Sequence, residues 1–353
     1  MGPGPCNVSP EVSAALAAPL LGHLDPEFLH VLDETCSRLR QVFQTTNPLT
    51  LPLSATGSGG MEAAFVNLVR PGDPVVVGIN GLFGERMAEV ASRHGADVVR
   101  VEAPWGEPLD PQRLLDAHRA PKVIAVVHAE TSTGVRNDVE PLGRSKGDAV
   151  LLVDCVTSLG GVEVDVDGWG VDVAYSGSQK CLGVPPGLAP ITVSPEGRRR
   201  LVQRPTSWYF DLDLIARYVE GDGGGRTYHH TAPVAMVMAL HAGLGLLLDE
   251  GLAQVWQRHL DAGRALQQGL EELGLELVGP PSHRLPQLTV VRVPDGVDSA
   301  AVRRQLLERY GIEIGAGAGP WASTVWRIGC MGPSAASRHV ALLLAALGEV
   351  LGR

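Results

Sequence analysis

The sequence predicts an α/β fold in two parts: a large domain built on a mainly parallel β-sheet, and a smaller C-terminal α+β domain. First, a chain of 353 residues is long enough to bury the cores of two domains. Second, a hydrophobic content of 44% and 43 glycines are typical of a globular α/β protein. Third, short, almost continuously apolar runs alternate with helical stretches, as expected of strands buried on both faces of a parallel sheet.

The strands and helices of the large domain alternate along the N-terminal part of the chain. The predicted strands are residues 74–79, 97–102, 122–128, 149–154, 171–175 and 188–193. Stretches rich in alanine, leucine and arginine lie between them, such as residues 84–94 and 110–117, and they predict crossover helices. A glycine-rich run at residues 221–225 indicates a loop.

The pattern changes after two further helical stretches, residues 234–248 and 252–273. The sequence then predicts, in order, a strand, a helix, two strands and a last helix, at residues 289–293, 299–310, 312–314, 324–328 and 334–351. We therefore assign residues 1–252 to an N-terminal segment and the large domain, and residues 253–353 to the small domain.

Composition limits the possible functions. A net charge of −10 argues against a nucleic-acid or membrane-surface partner, so an anionic ligand would need specific arginines and backbone N–H groups. No apolar run approaches the ~20 residues of a membrane span. Residues 1–5 lack the basic and apolar parts of a signal peptide, and the last three residues do not resemble a peroxisomal address.

The cysteines point to a reducing compartment. There are five of them, an odd number without metal-ligand spacing, at positions 6, 36, 155, 181 and 330. We expect free thiols, no bound metal and a cytoplasmic location.

Lys180 is the first candidate for a reactive group, because only three of the 29 basic residues are lysines. Lys122 and Lys146 lie in polar contexts and are expected at the solvated surface. Lys180 instead follows a run of small residues, 176–179, with no acidic neighbour. A poorly solvated amine has a lowered pKa, which suits a nucleophile that forms Schiff bases. Taken alone, an exposed loop lysine would be the simpler interpretation.

Two segments suggest an anion site and a buried carboxylate. Residues 55–64 form a glycine-rich turn that opens a helix, where N–H groups and the helix dipole favour a single phosphate. Such turns also serve as simple connections. Asp154 ends an apolar strand at the edge where α/β sheets bind ligands. A protonated pyridine nitrogen is a suitable partner for it, although an aspartate that caps a helix explains the sequence equally well.

Two more segments carry candidate polar groups. Residues 128–134 contain hydroxyls and His128 directly after an apolar strand, where they could contact a ring substituent or form an ordinary polar turn. Arg327 lies between apolar residues of a strand, and a guanidinium fork is the usual partner of an amino-acid carboxylate. An edge-strand arginine paired with a surface acid is the alternative.

Seven segments together resemble one family, the class V (fold type I) pyridoxal-phosphate aminotransferases. They are residues 43–50, 80–84, 128–134, 153–154, 176–180, 228–231 and 327–329. Within the family, the alanine–glyoxylate and serine–glyoxylate (serine–pyruvate) branch is most similar. The resemblance covers nearly the whole chain, with Asp154 and Lys180 26 residues apart as in the family.

The resemblance implies a fold type I transferase with a seven-stranded sheet, and pyridoxal 5′-phosphate as cofactor. It implies Lys180 as the Schiff-base lysine that also moves the substrate proton, and Asp154 as the partner of the ring nitrogen. The other cofactor-binding residues that it implies are Thr56, Gly57, Ser58, Gly59, Phe83, Thr131, Thr157, Gln179, Tyr228 and Thr231. Of these, Tyr228 and Thr231 are expected to reach the neighbouring subunit's cofactor, so the active unit would be a homodimer. Gly4, Pro5 and Arg327 are the expected substrate-binding residues.

Two positions depart from the pattern of the mammalian alanine–glyoxylate enzymes. Phe83 stands where those enzymes carry a tryptophan stacked on the cofactor ring, and Ser58 replaces a larger residue in the phosphate loop. Phenylalanine can also stack, with less area and no indole N–H. Both positions shape the space above the ring, so they bear on the choice of amino donor.

The sequence therefore predicts an aminotransferase that moves the amino group of alanine or serine to a small 2-oxo acid, with glyoxylate as the expected acceptor, by a ping-pong cycle. Only Arg327 is plausibly placed for a carboxylate, with Arg136 and Arg226 left open as further candidates. Related transaminases that use ureidoglycine, pyridoxamine or 2-aminoethylphosphonate are alternatives. A cysteine desulfurase or lyase with Cys330 as acceptor thiol is another, although a packed thiol after a strand is the simpler interpretation.

Overall fold

A seven-stranded sheet organises the large part of the protein. The computed structural model describes residues 1–221 and 225–353, so most of the predicted glycine-rich loop at 221–225 lies outside the described residues. The strands of this sheet are β1 Leu49–Leu53, β2 Pro74–Ile79, β3 Asp97–Glu102, β4 Val123–Val127, β7 Val150–Asp154, β8 Val173–Tyr175 and β9 Ala189–Val193. Two short strands, β5 Ala129–Glu130 and β6 Val135–Arg136, pair separately as an antiparallel ribbon.

The strand order is β1-β9-β8-β7-β4-β2-β3. All neighbouring strands from β8 to β3 are parallel, whereas β9 runs antiparallel to both β8 and β1. β4 and β7 are buried along their whole length, as their apolar runs predict. The predicted α/β class with a mainly parallel sheet is confirmed. β1 is an addition, and it contains Pro52, which is tolerated because β1 lies at the sheet edge.

Helices pack around this sheet. They are α1 Pro10–Leu16, α2 Pro26–Val42, α3 Gly57–Leu68, α4 Leu82–Arg93, α5 Pro111–Asp116, α6 Glu140–Ser145, α7 Pro195–Arg199, α8 Leu212–Val219 and α9 Val234–Glu250. The next helix, α10 Leu252–Glu272, buries Ala262, Leu266 and Leu270 in the smaller C-terminal core. α9 and α10 meet at an angle of 87°. Gly251 lies between them with φ +88°, a conformation that glycine adopts without a steric cost.

The C-terminal part forms a second, smaller core. Its elements are β10 Leu288–Arg292, α11 Ser299–Tyr310, β11 Gly315–Ala316, β12 Val325–Gly329 and α12 Ser337–Leu351. The strands pair in the order β10-β12-β11, all antiparallel. The strand predicted at 312–314 is wrong: Ile312 and Ile314 are buried in the small core without strand pairing, and β11 follows them instead.

Two large hydrophobic clusters reflect this division. One runs from Val12 to Val255 and surrounds the seven-stranded sheet, and the other runs from Ala262 to Leu347. The exact boundary at residues 252 and 253 stays a prediction. In the described part of the chain, no single helix is long and apolar enough to span a membrane, and only the bent pair α9 and α10 meets those criteria together.

Candidate active site

The candidate site lies at the C-terminal ends of the parallel strands. Asp154 and Tyr175 are the last residues of β7 and β8 and are register partners. The β5–β6 ribbon begins two residues after β4 ends, and Lys180 follows β8 by five residues. Parallel strands bring their carboxyl ends to one edge, so these polar groups converge there.

Lys180 is buried at this edge, with 8% of its surface exposed. Its Nζ donates a hydrogen bond to the carbonyl oxygen of Pro3, in the N-terminal segment. Burial lowers the pKa of Lys180 to about 8. The direction agrees with the lowered pKa expected from the sequence, and desolvation is its main cause.

Asp154 is held by two donors. Its Oδ1 accepts a hydrogen bond from the Val156 N–H at 2.8 Å, and its Oδ2 accepts one from the Tyr175 hydroxyl at 2.8 Å. Burial nevertheless raises the pKa of Asp154 to about 6. The two hydrogen bonds act against that rise, as does the more distant charge of Lys180. A cation brought to this carboxylate would stabilise its ionised form.

Thr131 and Thr157 meet beside this carboxylate. Their hydroxyls hydrogen-bond each other, and both side chains are buried. Gln287, the residue before β10, donates from Nε2 to the Thr157 carbonyl oxygen at 3.0 Å. The two hydroxyls are therefore held by each other, and the Thr157 backbone is held by Gln287.

Glu130 is a buried carboxylate that sequence analysis did not single out, although it lies in the segment 128–134. It accepts four hydrogen bonds, from the N–H groups of Phe83 and Gly84 and from the N–H and hydroxyl of Ser132. Burial raises its pKa, and these donors counteract the rise. The arrangement fixes the start of α4 and thereby the position of Phe83.

The glycine-rich turn begins α3 as predicted. Thr56 precedes the helix without a side-chain cap, which leaves the first-turn N–H groups available to a ligand. Gly57 lies so close to Val156 that an added Cβ would come within 2.9 Å of Val156 Cγ2. The turn is therefore packed directly against the loop that follows Asp154.

Arg327 enters the site from the central strand of the small sheet. Its Nε donates to the Ala316 carbonyl oxygen at 2.8 Å, and its Nη1 donates to the Thr131 carbonyl oxygen at 3.4 Å. Partial burial lowers its pKa. Arg327 has no ion pair with any residue in the ranges 1–221 and 225–353. The alternative of an edge-strand arginine paired with an acid is therefore wrong.

The N-terminal segment crosses the site. The Met1 carbonyl oxygen accepts a hydrogen bond from the Gly329 N–H at 2.8 Å, and the Cys6 N–H donates to the Gln179 carbonyl oxygen at 2.9 Å. Between these anchors, Gly4 lies against Lys180, where an added Cβ would come within 2.6 Å of Nζ. Gly4 and its neighbour Pro5 are thus placed next to the reactive amine.

Among the described residues, the hydroxyls of Tyr228 and Thr231 hydrogen-bond to each other and not to the groups around Lys180. Both are exposed, and their hydroxyl oxygens lie 3.4 Å apart. The Tyr228 ring packs against His23, with 5.4 Å between ring centroids. These two residues therefore form a small hydroxyl pair on the outer surface.

The structure also places His128, Lys122 and Lys146, and the prediction that the two lysines are solvated needs correction. His128 packs edge-to-face on Trp169 and lines a separate cavity with Arg136 and Glu163, and burial lowers its pKa to about 3. Neither Lys122 nor Lys146 is simply a solvated surface residue. Lys122 pairs with Asp73, and Lys146 pairs with the buried Asp172.

Comparison with known proteins agrees with this geometry. The Aminotransferase class-V family model matches residues 12–326. An alanine–glyoxylate aminotransferase of Drosophila melanogaster is 41% identical over 99% of this chain and 91% of its own length. A (S)-ureidoglycine–glyoxylate transaminase of Bacillus subtilis is 38% identical over 100% of this chain and 90% of its own length.

Solved structures give the same result. The structure of an alanine–glyoxylate aminotransferase from Nostoc sp. has a TM-score of 0.96 and 46% identity, covering 99% of this chain and 94% of that one. A pyridoxamine–pyruvate aminotransferase from Mesorhizobium loti has a TM-score of 0.94 and 30% identity, covering 99% and 91%. By the family match and these full-length similarities, the chain belongs to the class V aminotransferases, which are pyridoxal-phosphate-dependent transaminases.

Proposed function

We propose that the protein transfers the amino group of alanine or serine to glyoxylate, and that it works as a homodimer. The observation that carries the choice of a small substrate is the single guanidinium of Arg327 at the Lys180 site, free of any carboxylate in the described residues. Arg226 pairs with Asp33 instead, and Arg136 lines the cavity around His128. A donor with one carboxylate therefore fits better than aspartate or glutamate.

The residues present fit pyridoxal 5′-phosphate. The uncapped start of α3 suits the phosphate, the Asp154 carboxylate suits the protonated ring nitrogen, and Lys180 suits the aldehyde end. The Gln179 amide, next to Lys180 in the sequence, has a buried oxygen without a partner in the described part of the chain. Gly57 and Gly4 let the backbone approach Val156 and Lys180 closely, because an added Cβ would collide with those side chains.

The chain's own groups then divide the work. When bound, the cofactor supplies a carbonyl that carries the amino group and a ring that accepts electrons. Lys180 Nζ removes and returns the proton of the substrate α-carbon, for which a pKa of about 8 is well placed. Arg327 orients the substrate carboxylate, and Asp154 keeps a negative charge beside the ring. Gly4 and Pro3 cover Lys180 and restrict the entry of water.

Support for the homodimer comes from the outer surface. Tyr228 and Thr231 present two hydroxyls to solvent, and hydroxyls are good phosphate donors. Trp208 and Tyr209, 61% and 40% exposed, are large aromatic groups exposed on the same chain. We infer that a second subunit covers Tyr228 and Thr231 and receives them at its own phosphate site.

A second donor is favoured by a specific finding. The Bacillus subtilis relative that is 38% identical is a ureidoglycine–glyoxylate enzyme, so (S)-ureidoglycine is the next candidate. The desulfurase alternative lacks such support. Cys330 is fully buried, and burial raises its pKa to about 12, so it is poorly suited to act as an acceptor thiol.

A panel of half-reactions tests the proposal. The holoenzyme is mixed with L-alanine, L-serine, (S)-ureidoglycine, pyridoxamine, 2-aminoethylphosphonate or L-aspartate, and the visible spectrum of the cofactor is followed. Glyoxylate or pyruvate is then added, and sulfide release from cysteine is assayed in parallel. We expect alanine or serine to bleach the spectrum fastest and glyoxylate to restore it. A preference for aspartate, or release of sulfide, would reject the proposal.

We also propose a cytoplasmic location, on the ground that all five cysteines are free thiols suited to a reducing compartment. Cell fractionation with an antibody against the protein tests this, and recovery in an oxidising compartment would contradict it.

A further inference from the structure

Arg86 lies between the Phe83 side chain on α4 and the glycine-rich turn that opens α3. It follows Phe83 by one turn of α4, so both side chains lie on one face of the helix. The centre of its guanidinium is 5.0 Å from the Phe83 ring centroid, within cation–π range. Its Nη1 donates to the Ser58 hydroxyl oxygen at 3.2 Å, so it also reaches the turn that opens α3.

The hydrogen bond from Arg86 leaves the Ser58 hydroxyl proton free for another acceptor. A guanidinium can only donate, so Ser58 Oγ must accept, and the Ser58 hydroxyl proton stays free to donate elsewhere. The first-turn N–H groups of α3 lie beside it and are not capped by Thr56. Arg86 thus orients a hydroxyl donor at a helix start that already favours an anion.

The positive charge of Arg86 is also available to an anionic ligand. It forms no ion pair with any of the residues that the structure describes, whereas Arg93 on the same helix pairs with Glu89. Its field reaches the strand-end residues: burial raises the pKa of Tyr175 well above its ordinary value, and Arg86 acts against that rise. A cation in this position is electrostatically complementary to a phosphate dianion at the turn.

We propose that Arg86 is a phosphate-binding residue, held over the Phe83 ring and acting on the cofactor phosphate through its charge and through Ser58. The inference rests on the proposed placement of the phosphate at Gly57–Gly59. One face of α4 would then carry both Phe83, which is expected to stack on the cofactor ring, and Arg86, which would bind the cofactor phosphate.

The test compares two ligands of the apo-protein, pyridoxal 5′-phosphate and pyridoxal, which lacks the phosphate. Equilibrium dissociation constants are measured by absorbance for wild type, Arg86→Gln, Arg86→Lys and Ser58→Ala. We expect Arg86→Gln to weaken pyridoxal-phosphate binding by about 10- to 100-fold, as for a lost charge-assisted hydrogen bond. Pyridoxal binding should change by less than about 2-fold, and Arg86→Lys should lose less than Arg86→Gln. Arg93→Gln is the matched control and should leave both constants unchanged.

The outcomes separate this inference from the placement of the phosphate. If Arg86→Gln weakens both ligands equally, Arg86 acts by packing on Phe83, and the proposal is overturned. If only Ser58→Ala lowers the preference for the phosphorylated ligand, the phosphate lies at the turn but Arg86 does not serve it. If neither variant lowers that preference, the phosphate lies elsewhere and both statements fall. Thermal melting of each apo-variant verifies that it is folded.

Discussion

The buried and the exposed halves of the candidate site differ in how their polar groups find partners. In the buried half, at the strand ends, one chain supplies almost every partner: Asp154 has two donors, and Glu130 has four. In the exposed half, Tyr228 and Thr231 bond only weakly to each other and otherwise face outward. The buried half is therefore organised by its own chain.

Hydrogen bonds of His229 and His230 nevertheless hold the segment that carries Tyr228 and Thr231. The Trp208 carbonyl oxygen can only accept, so His229 donates to it from Nε2 at 3.1 Å. With neutral rings, His230 Nδ1 then donates to His229 Nδ1 at 2.8 Å, and the Ser54 hydroxyl donates to His230 Nε2 at 2.7 Å. Burial lowers the pKa of His230, which favours its neutral form. This chain of hydrogen bonds fixes the segment while its neighbours Tyr228 and Thr231 stay exposed.

This difference suits the proposed division, in which one chain supplies the chemistry and a neighbour supplies two of the phosphate donors. The groups proposed to handle protons at the ring find their partners within one chain, whereas two of the expected phosphate donors, Tyr228 and Thr231, face outward. Changes in the buried half should therefore act on the rate of chemistry, and changes in the exposed half should act between subunits.

The largest effect is expected from Lys180→Ala. The buried half loses its reactive amine, so turnover with alanine and glyoxylate should fall by about 10⁴-fold. Wild-type protein should be yellow, and borohydride should fix the cofactor on Lys180. The variant should still bind the cofactor but lose this fixation, as followed by mass spectrometry. Lys122→Ala, which removes a lysine paired with Asp73 far from the site, is the control and should behave as wild type. Near-normal turnover of Lys180→Ala would contradict the assigned role.

The next effect is expected from Asp154→Asn. This change removes the charge opposite the ring nitrogen while keeping a similar shape, so abstraction of the α-proton should slow by about 10³-fold, or ~4 kcal/mol. A deuterium isotope effect on the half-reaction with α-deuterated alanine measures that step.

Tyr175→Phe is the matched comparison for Asp154→Asn. It removes one donor to the same carboxylate at 2.8 Å and should cost only about 10-fold. An Asp154→Asn variant with unchanged turnover would mean that Asp154 only anchors its loop.

A smaller effect is expected from pH. Cofactor capture by the apo-protein needs the neutral amine of Lys180, whose pKa is lowered to about 8 by burial. The rate of capture should rise by about 10-fold from pH 7 to pH 9 and then level off. An amine with the ordinary pKa would give a rise of about 100-fold over that range and would continue to rise. Stopped-flow absorbance measures the rate, and a rise that continues beyond pH 9 would show that burial does not tune Lys180.

The two halves also differ in how well the sequence predicts them. The apolar strands, and Asp154 at the end of β7, can be predicted because burial on both faces leaves a continuous pattern. Lys180, five residues after β8, stands out because the chain has only three lysines. The hydrogen-bond partners of those residues cannot be predicted from the sequence. Tyr175 looks like an ordinary strand residue until the β7–β8 register places it beside Asp154.

Contacts between residues that are far apart in the sequence are a second group of features that the sequence does not predict. Pro3 and Lys180 are distant in sequence yet hydrogen-bonded, and only the family resemblance pointed to the N-terminal segment. The strand predicted at 312–314 failed for the opposite reason, because its apolar residues are buried by core packing rather than by strand pairing.

The smallest effect, and the most direct test of the comparison, is expected in a mixed dimer. One subunit carries Lys180→Ala, and the other carries Tyr228→Phe together with Thr231→Ala. If Tyr228 and Thr231 serve the neighbour, one site collects all the defects and the other collects none, so about half of the wild-type activity should remain. Differently tagged subunits, purified as the heterodimer, allow this activity to be measured.

The opposite arrangement gives a different number. If Tyr228 and Thr231 serve their own chain, one site lacks Lys180 and the other lacks both hydroxyls, so neither site is intact. Activity would then fall to at most the residual activity of the Tyr228/Thr231 variant, because the Lys180→Ala site contributes almost nothing. The homodimer of each variant, measured beside the mixed dimer, supplies both limits. A mixed dimer at the lower limit would show that the exposed half does not serve a neighbour, and the role of Lys180 in the buried half would stand unchanged.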